Sequence, residues 1–202
     1  MSEHYFSTQP RSPATPAAFE ATVWGHALRM QSAAGLFSHS RLDLGTQVLV
    51  RSAQPHEAAS TVLDLGCGTG VLATALGLAL PRAEVWAVDV NERALEITAV
   101  NTSSHGLGDR AHVMDALAVP AEVTFDEIWS NPPIRIGKAA VHDLLQRWLP
   151  RMSVGGRAVL VIGRNLGADS YQRWLGEQGW TCLRLASARG FRVLEVRVAA
   201  AA

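Results

Sequence analysis

Lysine is nearly missing from this chain: Lys138 is the single one among 18 cationic residues. The 18 cations are matched by 18 acids, leaving a formal net charge of zero. No overall basic field therefore advertises a polyanionic partner, and any nucleic-acid contact must come from a local patch. Cysteine is scarce as well. Cys67 and Cys182 lie far apart without metal-ligand spacing, which excludes a disulfide framework or a zinc module and fits a reducing compartment. No apolar run reaches the ~20 residues that span a bilayer, and the opening "MSEHYFSTQP" has no signal-peptide core. The expectation is a cytosolic protein with no membrane and no metal. What is present is 48% hydrophobic residues in 202, enough for one large domain with a substantial core.

The first 60 or so residues are irregular. Prolines in "HYFSTQPRSPATP" forbid helix and sheet interiors and predict an extended arm. "ATVWGHALRMQSAAGLF" alternates partially, broken by Gly25 and Gly35, and reads as a short hairpin. "LDLGTQVLVRSA" from Leu42 predicts a helix with Asp43 near its start. These segments, 1–60, form an extension packed on a core, 61–202, in one structural domain.

From Thr61 on, strands and helices alternate. "STVLDLG", "AEVWAVDV", "RAHVMDA", "FDEIWSN" and "GGRAVLVIG" are strands. "GVLATALGLAL" is a helix stopped by Pro81; "NERALEITAVNTSSHG" is one capped by Asn91 and closed near Gly106. "KAAVHDLLQRWLPRM" places Val141, Leu144, Leu145, Trp148 and Leu149 on one stripe. "DSYQRWLGEQG" is a helix with Asp169 or Ser170 as its cap. "WTCLRLASA" and "GFRVLEVRVA" form a hairpin across Arg189-Gly190. The pattern predicts an α/β fold: seven strands in a mostly parallel sheet, helices on both faces, and an antiparallel C-terminal hairpin.

"VLDLGCGTGVLA" sets Asp64, Gly66, Gly68 and Gly70 between a strand and a helix. Glycines permit a tight turn and close ligand approach, and the helix start offers free N–H groups. "GTGVLA" also satisfies the dinucleotide-binding pattern, with Asp89 at the expected distance, so a nicotinamide dehydrogenase competes, as does a plain glycine turn. Asp64 separates the two enzyme readings. An acid directly before the glycines would repel a pyrophosphate but suits an ammonium group, such as that of S-adenosylmethionine. Asp89 would accept from ribose hydroxyls and Asp115 from an adenine amine, unless Asp115 merely caps a turn. Three acids after three successive strands lie on the edge where open α/β sheets bind ligands. A cationic cofactor accounts for all three; NAD accounts for one.

"WSNPPIRIGK" follows the next strand. Pro132 and Pro133 leave the hydrogen-bond ladder and stiffen the backbone. They set the Asn131 side chain and a neighbouring carbonyl as two acceptors spaced for the two hydrogens of a planar exocyclic amine. Such an amine is a poor nucleophile; oxygens on both N–H groups orient it and bind more strongly as nitrogen becomes positive. Alignment then supplies much of the rate and no general base is required. A strand-ending Asn-Pro turn is the bland competitor, disfavoured by the glycine loop upstream.

These motifs resemble class I S-adenosylmethionine-dependent methyltransferases of the Asn-Pro-Pro type, with a Rossmann-like fold. More narrowly, the chain is similar to single-domain relatives of the small-subunit ribosomal RNA guanine-N2 methyltransferases. The resemblance runs through "HYFS", "GLFSHSRLDLGTQVLV", "VLDLGCGTGVLA", "SNPPIRIGK", "GRNLGADS" and "GFRVLEV". It implies S-adenosylmethionine as cofactor, held by Asp64, Gly66, Gly68, Gly70, Asp89 and Asp115. It further implies catalysis by Asn131 with the Pro132 carbonyl, and a segment from Phe37 to Thr46 folded over the pocket. Two departures stand out. Ile134 occupies the place where many amine methyltransferases carry a stacking Tyr or Phe, so either another group such as Phe37 or Trp24 grips the base or the substrate differs. The additional amino-terminal domain of the larger relatives is also expected to be missing.

Substrate contacts are expected from Pro133, Ile134, Arg135, Lys138, Phe37 and Arg164. Arg135, Lys138 and Arg164 would form a basic rim for RNA, extended by Arg11, Arg29 and Arg41. The competing functions are methylation of a protein glutamine amide or of adenine, and a non-catalytic RNA-binding module on the same scaffold.

Overall fold

The structure, a computed structural model, describes residues 16–33, 41–132 and 137–198. Two strands come first, β1 (Pro16–Val23) and β2 (His26–Ala33), paired antiparallel. The turn between them is Trp24-Gly25, both at positive φ, which matches the right-handed twist of a two-residue hairpin. A helix, α1 (Leu44–Ser52), follows, then alternating β3 (Thr61–Leu65), α2 (Val71–Ala79), β4 (Glu84–Asp89), α3 (Glu92–Ser104) and β5 (Ala111–Asp115). After β5 come β6 (Phe125–Ser130), α4 (Lys138–Trp148), β7 (Met152–Gly163), α5 (Ala168–Glu177), β8 (Trp180–Ala188) and β9 (Phe191–Val198).

Strands β3 to β9 form one seven-stranded sheet in the order β5-β4-β3-β6-β7-β9-β8. The first five are mutually parallel; β9 runs antiparallel to both β7 and β8. Chain order reverses at β3, so β3 and β6 flank the switch point where such sheets open a crevice at their carboxyl edge. The expected sheet and its C-terminal hairpin are both present.

Alternate residues of the strands feed two cores. Val62, Val85, Ala87, Trp129, Val159, Val161 and Val193 pack on one face under α1, α2 and the β1–β2 hairpin. Leu63, Leu65, Ile128, Leu160, Ile162 and Leu194 pack on the other under Val141, Leu145 and Trp148 of α4 and Tyr171 and Leu175 of α5. The apolar α2 is buried over most of its length, as expected of a helix enclosed on all sides.

The hairpin is fastened at two points. Asn101 of α3, fully buried, accepts from the Gln31 amide at 2.7 Å and donates to its carbonyl at 2.9 Å, taking the place of a neighbouring strand. Trp24 donates its indole N–H to the carbonyls of Val50 and Ala53, both at 2.9 Å, and packs edge-on against Trp129. The C-terminal end of α1 thereby rests on the hairpin turn.

One helix starts earlier than expected. Gly167, at φ 92°, caps α5, so Asp169 and Ser170 fall inside its first turn. A 3-10 turn, Arg164–Leu166, brings the chain round in time for this. Asp169 instead pairs with Arg192 and Arg184.

Candidate active site

Five parallel strands end on one edge, and the residues that follow them build the site. After β3, Gly66, Gly68 and Gly70 all have positive φ, a path open to glycine at little cost. A Cβ on Gly70 would also lie 2.7 Å from Thr98 Cγ2 and 3.1 Å from its Cα, so α3 leaves no room there. The loop is supported from below: Thr98 donates to the Gly68 carbonyl at 3.2 Å, and Asn101 Nδ2 donates to that of Thr69 at 2.8 Å.

Asp64 and Asp89 hold the two sides of this loop. Asp64 accepts from the Ala73 amide at 2.9 Å, in the first turn of α2. Asp89 accepts from Gly68 N and Asn91 N, each at 3.0 Å. Burial, offset in part by the Ala73 bond and reinforced by the charge of Asp89, lifts the Asp64 carboxyl to about 7. Burial and the same two acids push the Cys67 thiol well up, which leaves it unreactive. Asp115 sits beside Asp89 in the β4–β5 register. It is exposed and accepts from Leu117 N at 2.7 Å, closing its own turn. The exposed aliphatic side chains of Val90 and Leu117 flank these two acids in sequence.

The β3–β6 register matches Leu65 with Ser130, and the Ser130 hydroxyl donates to the Leu65 carbonyl at 2.7 Å. Gly66 and Asn131 are the residues that directly follow this last pair. The glycine loop and the Asn-Pro-Pro stretch therefore meet at the switch point. Asn131 is half-buried and Pro132 buried. The Asn131 Nδ2 group donates to Asp43 Oδ2 at 2.6 Å and to Thr46 Oγ1 at 3.1 Å, reaching 88 and 85 positions back. Asp43 is also the cap of α1, accepting from Thr46 N at 3.0 Å.

Both partners fall within the segment expected over the pocket, but the sequence named neither as a partner of Asn131 and did not single out Phe191. Phe191 opens β9 opposite Gly163, at the same edge. A Cβ on Gly45 would lie 3.1 Å from the Phe191 ring and 3.2 Å from Asn131 Nδ2, so ring and amide border the same small space. The signals were faint: "LDLGT" and "GFRVLEV" marked conformity with a family pattern, but not a contact.

Among the expected substrate residues, Lys138 and Arg164 are exposed at this edge, in the first turn of α4 and the turn after β7. Phe37, Pro133, Ile134, Arg135 and Arg11 lie outside the described residues. Two expectations need correction. Trp24 is committed to the far end of α1 by its two indole bonds and does not reach the Asn131 end. Arg29 sits beside His105 at the C-terminal end of α3, on the opposite edge, where it pairs with Glu20. Arg41 remains next to the start of α1 and is exposed.

The profile of the methyltransferase small domain family matches residues 27–195. The chain belongs to that family. Its likeness is to class I methyltransferases of the RsmC type. An uncharacterized protein, YbxB of Bacillus subtilis, is 30% identical over 84% of this chain and 86% of its own length. The ribosomal RNA small subunit methyltransferase C of Chromohalobacter salexigens is 33% identical over 83% of this chain and 51% of its own. The chain thus spans about half the length of that methyltransferase. Among solved structures, the T. thermophilus 16S rRNA N2 methyltransferase RsmC, in complex with AdoMet and guanosine, superposes with a TM-score of 0.80. It shares 25% identity, and the match covers 92% of this chain and 51% of that one.

The residues present fit the cofactor of the family. Asp64 is a buried carboxylate that no cation among the described residues pairs with, so a cationic ligand would relieve it. The glycine path leaves room for close approach, and the acids at the ends of β4 and β5 offer acceptors to hydroxyl and amine groups. No group of three His, Cys, Asp or Glu among the described residues could hold a metal ion. None of their helices is long and apolar enough to cross a membrane.

Proposed function

We propose that the protein methylates the exocyclic amine of a nucleobase, with guanine N2 of ribosomal RNA as its target. One observation bears most of this reading: the β3–β6 register pairs Leu65 with Ser130, the residues immediately before the glycine loop and Asn131. An amine held by Asn131 would therefore lie beside a ligand held by that loop. S-adenosylmethionine, when bound, supplies an electrophilic methyl group on a sulfonium sulfur.

The chain's own residues would divide the work as follows. Asp64, Asp89 and Asp115, with Gly66, Gly68 and Gly70, hold the cofactor, and Val90 and Leu117 offer apolar faces to a flat ring. Asn131 Oδ1 accepts one hydrogen of the amine and the Pro132 carbonyl accepts the other. Both oxygens bind more strongly as positive charge grows on nitrogen, which lowers the barrier rather than the ground state. The surplus proton then leaves to water. Lys138 and Arg164, with Arg135, would meet the phosphate backbone. The half-buried Phe191 ring, at the border of the Asn131 amide, offers a stacking face that Ile134 cannot.

Support for guanine and for ribosomal RNA comes from the RsmC relatives and from the guanosine complex of their T. thermophilus member. A ribosomal RNA substrate would place the work in the cytoplasm. The test is nucleoside mass spectrometry of ribosomal RNA from cells with and without the gene. Loss of an N2-methylguanosine on deletion, restored by the wild-type gene but not by Asn131→Ala, is the expected result. Unchanged modification, or full restoration by Asn131→Ala protein that still binds cofactor, would overturn it.

A further inference from the structure

We infer that the first turn of α1 is a positioning device for the Asn131 amide: Asp43 and Thr46 hold its NH2 group so that only Oδ1 is presented to substrate. The inference rests on the role proposed for Asn131, and extends it to residues far upstream in the chain.

The orientation follows from elementary chemistry. A side-chain amide has an acceptor end and a donor end of nearly the same shape, so its orientation is decided by its hydrogen-bond partners. Here the neighbour decides. Asp43 Oδ2 lies 2.6 Å from the Asn131 terminal atom, and an ionised carboxylate only accepts. An amide oxygen at that distance would face it lone pair to lone pair. The nitrogen must therefore point at Asp43, with its second hydrogen toward Thr46 Oγ1 at 3.1 Å. A free amide would present its own donors to the incoming amine half the time, which repels the very hydrogens it must bind. A carboxylate on the donor end also polarises the amide and makes Oδ1 a better acceptor.

The packing has no slack. Gly45 lies between the groups, and a Cβ there would stand 3.0 Å from Asp43 Oδ2 and 3.2 Å from Asn131 Nδ2. An alanine there would force these groups to give by a few tenths of an ångström.

Asp43 also caps α1, so the cap and the amide contact must be separated. Both use the same oxygen, Oδ2. Asp43→Asn keeps one oxygen for both bonds. Asp43→Ser keeps a good cap but is too short to reach Asn131 as well. A purely structural residue would treat the two variants alike. With labelled S-adenosylmethionine and small ribosomal subunits from a deletion strain, Asp43→Ser should lower kcat by about 100-fold. Asp43→Asn should stay within about 10-fold of wild type, and Thr46→Ser should rescue what Thr46→Val loses. Cofactor affinity and melting temperature should move little.

A second readout needs no turnover. In 15N-labelled protein, the side-chain hydrogens of Asn131, identified by their loss in Asn131→Asp, should exchange slowly with water in wild type and Asp43→Asn, and fast in Asp43→Ser. Equal exchange in the two Asp43 variants, or equal kcat, would overturn the inference. If exchange responds as expected but Asn131→Ala still transfers methyl groups, the positioning stands and the role of Asn131 falls.

Discussion

Asn101 bonds Gln31 as a neighbouring strand would, through both backbone groups of that residue, while its Nδ2 also reaches the carbonyl of Thr69. One buried side chain thus ties the front hairpin to the glycine loop. Asn101→Ala would leave the N–H and C=O of Gln31 and the buried carbonyl of Thr69 without this partner and cost about 2–4 kcal/mol of stability. Urea titration should show a lower midpoint with unchanged slope. S-adenosylmethionine affinity should fall as well; wild-type affinity in the variant would mean that hairpin and loop are independent.

The buried Asp64 sets a pH dependence. Burial pushes its carboxyl up to about 7, from 3.8 for a free side chain. The stability this group contributes is complete below the unfolded value and disappears as pH rises through the folded one. Asp64→Asn keeps an oxygen for Ala73 N and escapes ionisation. Its advantage in melting temperature over wild type should therefore widen between about pH 4 and about pH 7 and then level off. A constant difference across that window would show that the carboxyl ionises freely.

Gly70 combines a positive φ with a tight neighbour. Gly70→Ala strains the backbone and drives Cβ into Thr98, at 2.7 Å from its Cγ2. The cost should be about 2–4 kcal/mol, with cofactor binding lost alongside. Adding Thr98→Ser removes the methyl but not the strain, so the pair should regain part of the loss. Complete recovery would assign the whole effect to crowding.

The rim charges make a separate claim on RNA. Lys138→Ala and Arg164→Ala should weaken RNA binding without altering cofactor affinity. Each should also reduce the slope of log affinity against log salt by about 1. Filter binding at several salt concentrations checks this; an unchanged slope would remove the residue from the rim.

Most of the fold was legible because its signals are local. Asn91 caps α3, Pro81 follows the end of α2, and the Arg189-Gly190 turn closes the last hairpin at positive φ. The glycines and acids of the loop likewise follow one another in a short stretch. The partners of Asn131 were not legible, for a physical reason: they lie 85 and 88 positions away, and a contact across that distance leaves no mark on periodicity or propensity. Asp43 was read as the start of a helix, which it is, and that local role hid its second one. The α5 cap was misplaced because glycine can begin a helix from the left-handed region without a side-chain signal.

Helix α1 is nine residues long, touches Asn131 at one end, and is gripped by the Trp24 indole at the other. Such an element measures a distance. Adding or deleting one residue would turn one end by about 100° relative to the other and shift it by about 1.5 Å, so both attachments could not survive together. Substitutions on its outer side should be tolerated freely, whereas its length should resist change. Anyone grafting this scaffold onto a new substrate would do well to leave that count untouched.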